Sequence, residues 1–226
     1  MRHFKCRLGG CCCRNFLGKI GDSDTAKRVF SRCNSSGPGY YFVPPEQWAP
    51  PLFESEAKKL GALAEKKKIA LKITPLFFMY DLERDFGIIL QWCFTQDPCA
   101  FLKDNKCVVY KGRPLACRAF PLLFPPSRAA GGYSLGECHA VPKDLIPKEA
   151  APKQAERILH DFFGKEACAA SARIEKETAR CIRQIGLLKK KGRFNPLTGP
   201  LSFFAEQINP GNLFGLEEFL EKEKKR

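Results

Sequence analysis

Cys6, Cys11, Cys12 and Cys13 fall within one short stretch near the start of the chain, CRLGGCCCR, and Cys99, Cys107 and Cys117 recur in CAFLKDNKCVVYKGRPLACRAFP. This crowding constrains the fold more than any other feature, because the loops carrying these residues must hold several thiols at close range. A chain of 226 residues with 44% hydrophobic residues, 19 of them Phe, can bury a core without cross-links, so twelve cysteines call for a chemical reason. The opening residues MRHFKCRLGG lack the apolar region of a signal peptide. No later stretch approaches the roughly 20 apolar residues of a membrane span. A cytoplasmic protein with no membrane segment is therefore expected. In that compartment thiols stay reduced, and clustered cysteines are more often metal ligands or redox groups than structural disulfides.

The gaps between Cys99, Cys107 and Cys117 are too long for one zinc knuckle. They suit ligands delivered from the two sides of a strand-turn unit and from the start of a following turn. Gly9-Gly10 in the first block lets the backbone fold tightly around an ion. Cys138, in GECH, is a further candidate ligand. Soft sulfur donors select zinc, Cu(I) or iron–sulfur clusters over hard, oxygen-seeking ions. Four thiolates around a divalent centre leave a charge near about −2. Arg113 and Arg118, with the basic residues of the first twenty, are placed in sequence to offset that charge and to hydrogen-bond sulfur. Arg113 reads equally well as a residue bonding loop carbonyls after Tyr110.

The pattern along the chain predicts an α+β fold. After the first cysteine block, Asp22 or Ser23 can cap a short helix. The Pro- and Gly-rich SSGPGYYFVPPEQWAPP argues against regular structure. In LFESEAKKLGALAEKKK, Leu60, Leu63 and Ala64 recur at helical spacing. Residues 76–81 and 86–94, aromatic and β-branched around a charged turn, read as a hairpin, with a third short strand at 108–110 after the Asp104-Asn105 turn. Together they give a small antiparallel sheet on which the cysteine loops and short helices pack. From 153 to about 190 the apolar spacing is helical with an interruption near Gly164, and 213–226 reads as a terminal helix with Leu213, Leu216, Phe219 and Leu220 on one side. The expected division is a cysteine-cluster domain over 1–150 and a helical extension over 151–226 packing on it. There is no internal repeat.

The formal charge of +14 raises the possibility of a nucleic-acid partner, so its distribution matters. It is spread along the whole chain. The runs Lys66-Lys67-Lys68, Lys189-Lys190-Lys191 and Lys224-Lys225-Arg226 sit in or beside expected helices and read as solvated faces. This argues against nucleic acid and leaves a protein partner or substrate unidentified.

The pairing of an N-terminal block ending CCR with a downstream C-x7-C-x9-CRxFP block, including YxxRPxxCRxFP from Tyr110 to Pro121, resembles the CxxCxxCC cysteine-cluster family of the YkgJ type, whose members are described as zinc- or iron-chelating. The resemblance covers about residues 4–140. It implies Cys6, Cys12, Cys13, Cys99, Cys107 and Cys117 as ligands. The family pattern CxxCGxCC would place a cysteine where this chain has Gly9, and Cys11 is its substitute here. An iron–sulfur cluster, 4Fe-4S foremost, or zinc is the implied cofactor. Flagellin lysine methylase is similar to this family, so the resemblance also implies an alternative: an S-adenosylmethionine-dependent protein-lysine methyltransferase. No Gly-rich strand-turn-helix segment that would cradle a nucleotide-like cofactor accompanies it.

Buried free cysteine is common and explains one or two of the twelve. Cys33, Cys93, Cys168 and Cys181 are read that way. His139 reads as a ligand or a solvent-facing loop residue, and His160, on a helical stripe, as structural.

Overall fold

The structure, a computed structural model, describes residues 4, 11–14, 16, 40–42, 49–127, 132–135, 138, 140–142, 144–147, 149–196 and 207–225. It is an α+β fold. Strands β1 (Tyr40–Phe42), β2 (Ile73–Asp81) and β3 (Phe86–Phe94) run antiparallel in that order, and β8 (Leu213–Gly215) joins the far edge of β3 in parallel. The expected hairpin is therefore the centre of a mixed sheet rather than a purely antiparallel one. Its alternation is plain in the packing. Phe77, Met79, Ile88 and Leu90 enter one hydrophobic cluster, whereas Phe78, Tyr80 and Ile89 enter another on the opposite face.

Helix α1 (Glu54–Lys66) buries Ala57, Leu60 and Ala64 along one stripe, with Leu63 partly buried beside them. Just before it, Leu52 pairs with Trp92 of β3 through reciprocal backbone bonds of 2.7 and 2.8 Å. Two short strands, β4 (Leu102–Lys103) and β5 (Lys106–Cys107), then flank Asp104 and Asn105. Both turn residues have positive φ, the conformation that Asp and Asn tolerate best among side-chain-bearing residues. The strand expected at 108–110 is absent: Tyr110–Gly112 is a single 3-10 turn, and the pairing lies directly against the turn instead. Helix α2 (Leu115–Ala119) follows, then the hairpin of β6 (Leu122–Ser127) and β7 (Gly132–Leu135).

Helix α3 (Pro152–Lys190) is broken at Gly164, whose φ of 79° and ψ of 171° leave the helical region, at the interruption expected from the apolar spacing. Its first part packs Leu159, Phe162 and Phe163 against Leu122 and Phe4. Its second part sends Ala170, Cys181, Ile185 and Leu188 against the sheet. The last helix, α4, spans only Leu216–Lys224, because Leu213, Phe214 and Gly215 are drawn into the sheet as β8. The 40–42 stretch departs from expectation for the same reason, since its pairing with β2 supplies what its local composition does not. The helix expected near Asp22 and Ser23 lies outside the described residues. Among the described residues, no helix is long and apolar enough to cross a membrane.

Two fully or nearly buried carboxylates tie the distant parts together. Asp81, with no exposed surface, accepts from the Arg84 backbone and guanidinium at 3.1 and 3.0 Å and from the Asn195 backbone at 2.7 Å. Glu54 accepts from the backbone N–H groups of Glu217 and Glu218 at 2.7 and 3.3 Å, capping α4 and favouring its positive end. Gly215 is required there, because a Cβ would overlap the Glu54 carboxylate.

Candidate metal centre

The first cysteine block meets the second. Cys11–Cys13 form a single 3-10 turn, and the carbonyl of Cys13 accepts the backbone N–H of Cys99 at 2.8 Å. The sulfurs of Cys12 and Cys13 are 3.9 Å apart, and Cys13 and Cys99 are near enough to perturb each other's ionisation. Cys13, Cys99, Cys107 and Cys117 pack in one hydrophobic cluster with Phe16, Phe94, Phe101 and Val109. Arg14 reinforces the junction by donating from Nη2 to Asn105 Oδ1 at the tip of the β4–β5 turn.

Each thiol reaches this place for a local reason. Cys99 precedes a turn in which its carbonyl accepts from Leu102, and Cys107 sits on β5 directly opposite Leu102. Cys117 is carried by α2, and α2 is held by α1: the Leu115 N–H donates to Glu56 Oε1 at 2.7 Å, while Glu56 Oε2 accepts from the Phe53 N–H at 3.2 Å. One carboxylate thus fixes the start of two helices.

The electrostatics record how close these groups are. Burial pushes the Cys117 thiol well up, and the neighbouring Cys13, Cys12 and Cys107 push it further, with Arg113 opposing them. The hydrogen bond with Cys13 raises Cys12, and Arg113 again acts in the opposite sense. For Cys13 the bond from Cys12 favours the thiolate, but its bond to Cys99, burial, and the charges of Cys99 and Cys107 carry it up to about 12. Cys99 alone is lowered, by the bond from Cys13. Without a cation, such a group of thiols resists accumulating negative charge.

Both sequence readings of Arg113 appear in its surroundings. Its Nε donates to the Tyr110 carbonyl at 3.1 Å and its guanidinium lies 3.7 Å from the Tyr110 ring centroid, while its charge reaches Cys12 and Cys117. Arg118 is directed toward α3, where it pairs with Glu166 at 3.3 Å. The carbonyl of Cys138 accepts from Val141, which packs in the cluster of Leu122, Leu159 and Phe162 that also holds Phe4. Cys93 is fully buried beside Thr74, Cys181 is buried against the sheet, and Cys168 faces the Leu159 carbonyl. Cys6, Cys33, His139 and the Cys11 side chain lie outside the described residues.

Five thiols from the two blocks, those of Cys12, Cys13, Cys99, Cys107 and Cys117, share one locality, and no described cysteine is in a disulfide; thiols are the donor type that soft metals prefer. Among the described residues, no three His, Cys, Asp or Glu side chains converge closely enough to hold an ion as they stand. Sequence reasoning passed over Glu56 and read Asn105 only as part of a turn, whereas both hold the cysteine segments in position. Glu56 carried a signal, because a Glu in the first turn of a helix is placed to bond backward to the N-cap N–H. Compared with protein-family models, curated proteins and solved structures, the chain matches none.

Proposed function

We propose that this chain is a cytoplasmic metal-binding protein that holds an iron–sulfur cluster, or zinc, through thiolates of both cysteine blocks. The observation that carries this reading is the junction between them, in which the Cys13 carbonyl accepts the Cys99 N–H and Cys13, Cys99, Cys107 and Cys117 pack in one cluster. Cys12, Cys13, Cys99, Cys107 and Cys117 would hold the group, with Cys6 and Cys11 available from the same N-terminal block. An iron–sulfur cluster would supply one-electron exchange, whereas zinc would act through structure. The chain's own contribution is to keep the thiols in an apolar setting behind Phe94 and Phe101, with Arg113 offsetting their charge. The resemblance to the CxxCxxCC family supports the same donors.

The test is anaerobic purification followed by iron, zinc and acid-labile sulfide analysis with a visible absorption spectrum. Iron and sulfide in equal amounts with broad visible absorbance select the cluster. Colourless protein with stoichiometric zinc selects zinc. A protein that binds neither on reconstitution refutes the proposal.

A further inference from the structure

The β4–β5 hairpin carries a feature that its own stability does not explain. Lys103 and Lys106 are direct cross-strand partners, both exposed, on strands of two residues each. Like charges placed opposite each other destabilise a strand pair. Neither lysine is in an ion pair among the described residues, and neither is Lys111 or Arg14. The hairpin runs straight into Cys107, and its tip holds Arg14, which follows Cys13. Three residues after Cys107, Tyr110 is 43% exposed with the Arg113 guanidinium stacked over its ring, although so large an aromatic usually finds cover. Asp104 is the one acid on the hairpin.

We infer that Arg14, Lys103, Lys106, Tyr110, Lys111 and Arg113 form a docking face for an acidic protein, which is brought against the cysteine site. Carboxylates of the partner neutralise the lysine pair, and Tyr110 with Arg113 supplies the kind of anchor that dominates protein interfaces. So few cations suit the carboxylates of an acidic protein better than duplex nucleic acid, which would take a longer run of phosphate contacts. The inference rests on the proposed metal centre only for what the partner meets there.

The test uses the full chain and poly-L-glutamate as the probe, with duplex DNA of equal charge alongside, at low and near-physiological salt. Lys103→Glu turns the opposed lysines into a complementary pair, so the hairpin keeps its fold while the cationic pair at its centre is neutralised. Lys190→Glu makes the same change in net charge in the last turn of α3, outside the face. Poly-L-glutamate should bind the unaltered chain, with Lys103→Glu weakening binding on the order of tenfold and Lys190→Glu leaving it nearly unchanged. Tyr110→Ala should weaken it as well. Equal losses in the two charge variants would reduce the effect to net charge and overturn the inference. Tighter binding of DNA through Lys103 would overturn it in favour of a phosphate-reading face. Iron, zinc and sulfide assays on the same samples separate the failures: metal-free protein that still binds through Lys103 keeps the face and loses the centre, and metal-loaded protein without face-specific binding does the reverse.

Discussion

Glu56 is the most informative residue to remove, because its carboxylate joins α1 to the helix that carries Cys117. In Glu56→Ala, the Leu115 N–H loses an acceptor at 2.7 Å and the Phe53 N–H one at 3.2 Å. A hydrogen bond to a charged group contributes about 1.5–3 kcal/mol and a longer one less, so the two together set an expected loss of about 2–3.5 kcal/mol. Glu56→Gln keeps one carbonyl acceptor and should lose about 1 kcal/mol. Glu65→Ala, exposed on the same helix, should stay within about 0.5 kcal/mol of the parent. Urea unfolding of the metal-free chain measures these differences, with an unchanged m-value showing that the unfolding transition itself is the same. Metal content measured on parallel samples should fall in Glu56→Ala, because α2 no longer starts from a fixed point. A loss no greater than that of Glu65→Ala would refute the idea that Glu56 anchors the Cys117 segment.

Three further outcomes follow from the same structure. Cys117→Ser should lower metal content and stability together, whereas Cys168→Ser, on α3, should leave both the metal content and the spectrum unchanged; equal metal loss in the two would remove the distinction drawn between them. Gly215→Ala should displace the Glu54 carboxylate from the N-terminus of α4 and cost about 2 kcal/mol or more, read as a lower urea midpoint. The metal-free chain should lose stability as the pH rises above about 8.5, where unfolded thiols ionise. The native state retains protons on Cys13, Cys93 and Cys117 there, so the folded form binds more protons than the unfolded one and the slope is negative, up to about pH 12 where Cys13 itself titrates. A urea midpoint that is flat or rising between pH 7.5 and 9.5 would contradict this.

The elements legible in the sequence are those whose signal is local. The α1 stripe repeats at helical spacing, the aromatic hairpin alternates across its turn, and Gly164 interrupts a helical pattern. What was hidden depends on partners far along the chain. Leu213–Gly215 is three residues beside a helical pattern, and it becomes a strand because Gly87 to Ile89 present an open edge. Tyr40–Phe42 sits among Gly and Pro and is a strand only through β2. The Asp104-Asn105 turn was legible, but its strands are so short that the apolar run Val108–Tyr110 drew the assignment away from them. At the candidate centre the cysteines announced themselves by spacing. The carboxylate that positions Cys117 was only half legible, because a first-turn glutamate signals a bond back to its own N-cap but not one to the start of a distant helix. The second partners, Leu115 for Glu56 and Glu217 for Glu54, lie far along the chain.

The arrangement of β8 also sets an order in time. The hydrophobic cluster around the thiols draws its buried residues from Phe16 to Val109, with Cys117 packed against it. The cluster around Phe77 and Ile88 needs Phe194 and Leu216, and the Glu54 carboxylate meets its amide donors only at Glu217 and Glu218. During synthesis from the N-terminus, Cys117 precedes β8 by roughly a hundred residues, an interval of about 5–20 s at ordinary elongation rates. For that interval the nascent chain holds its complete set of junction thiols while the sheet still has an open edge along β3. The cysteine side of the molecule can therefore begin to assemble before the rest of the molecule has been made.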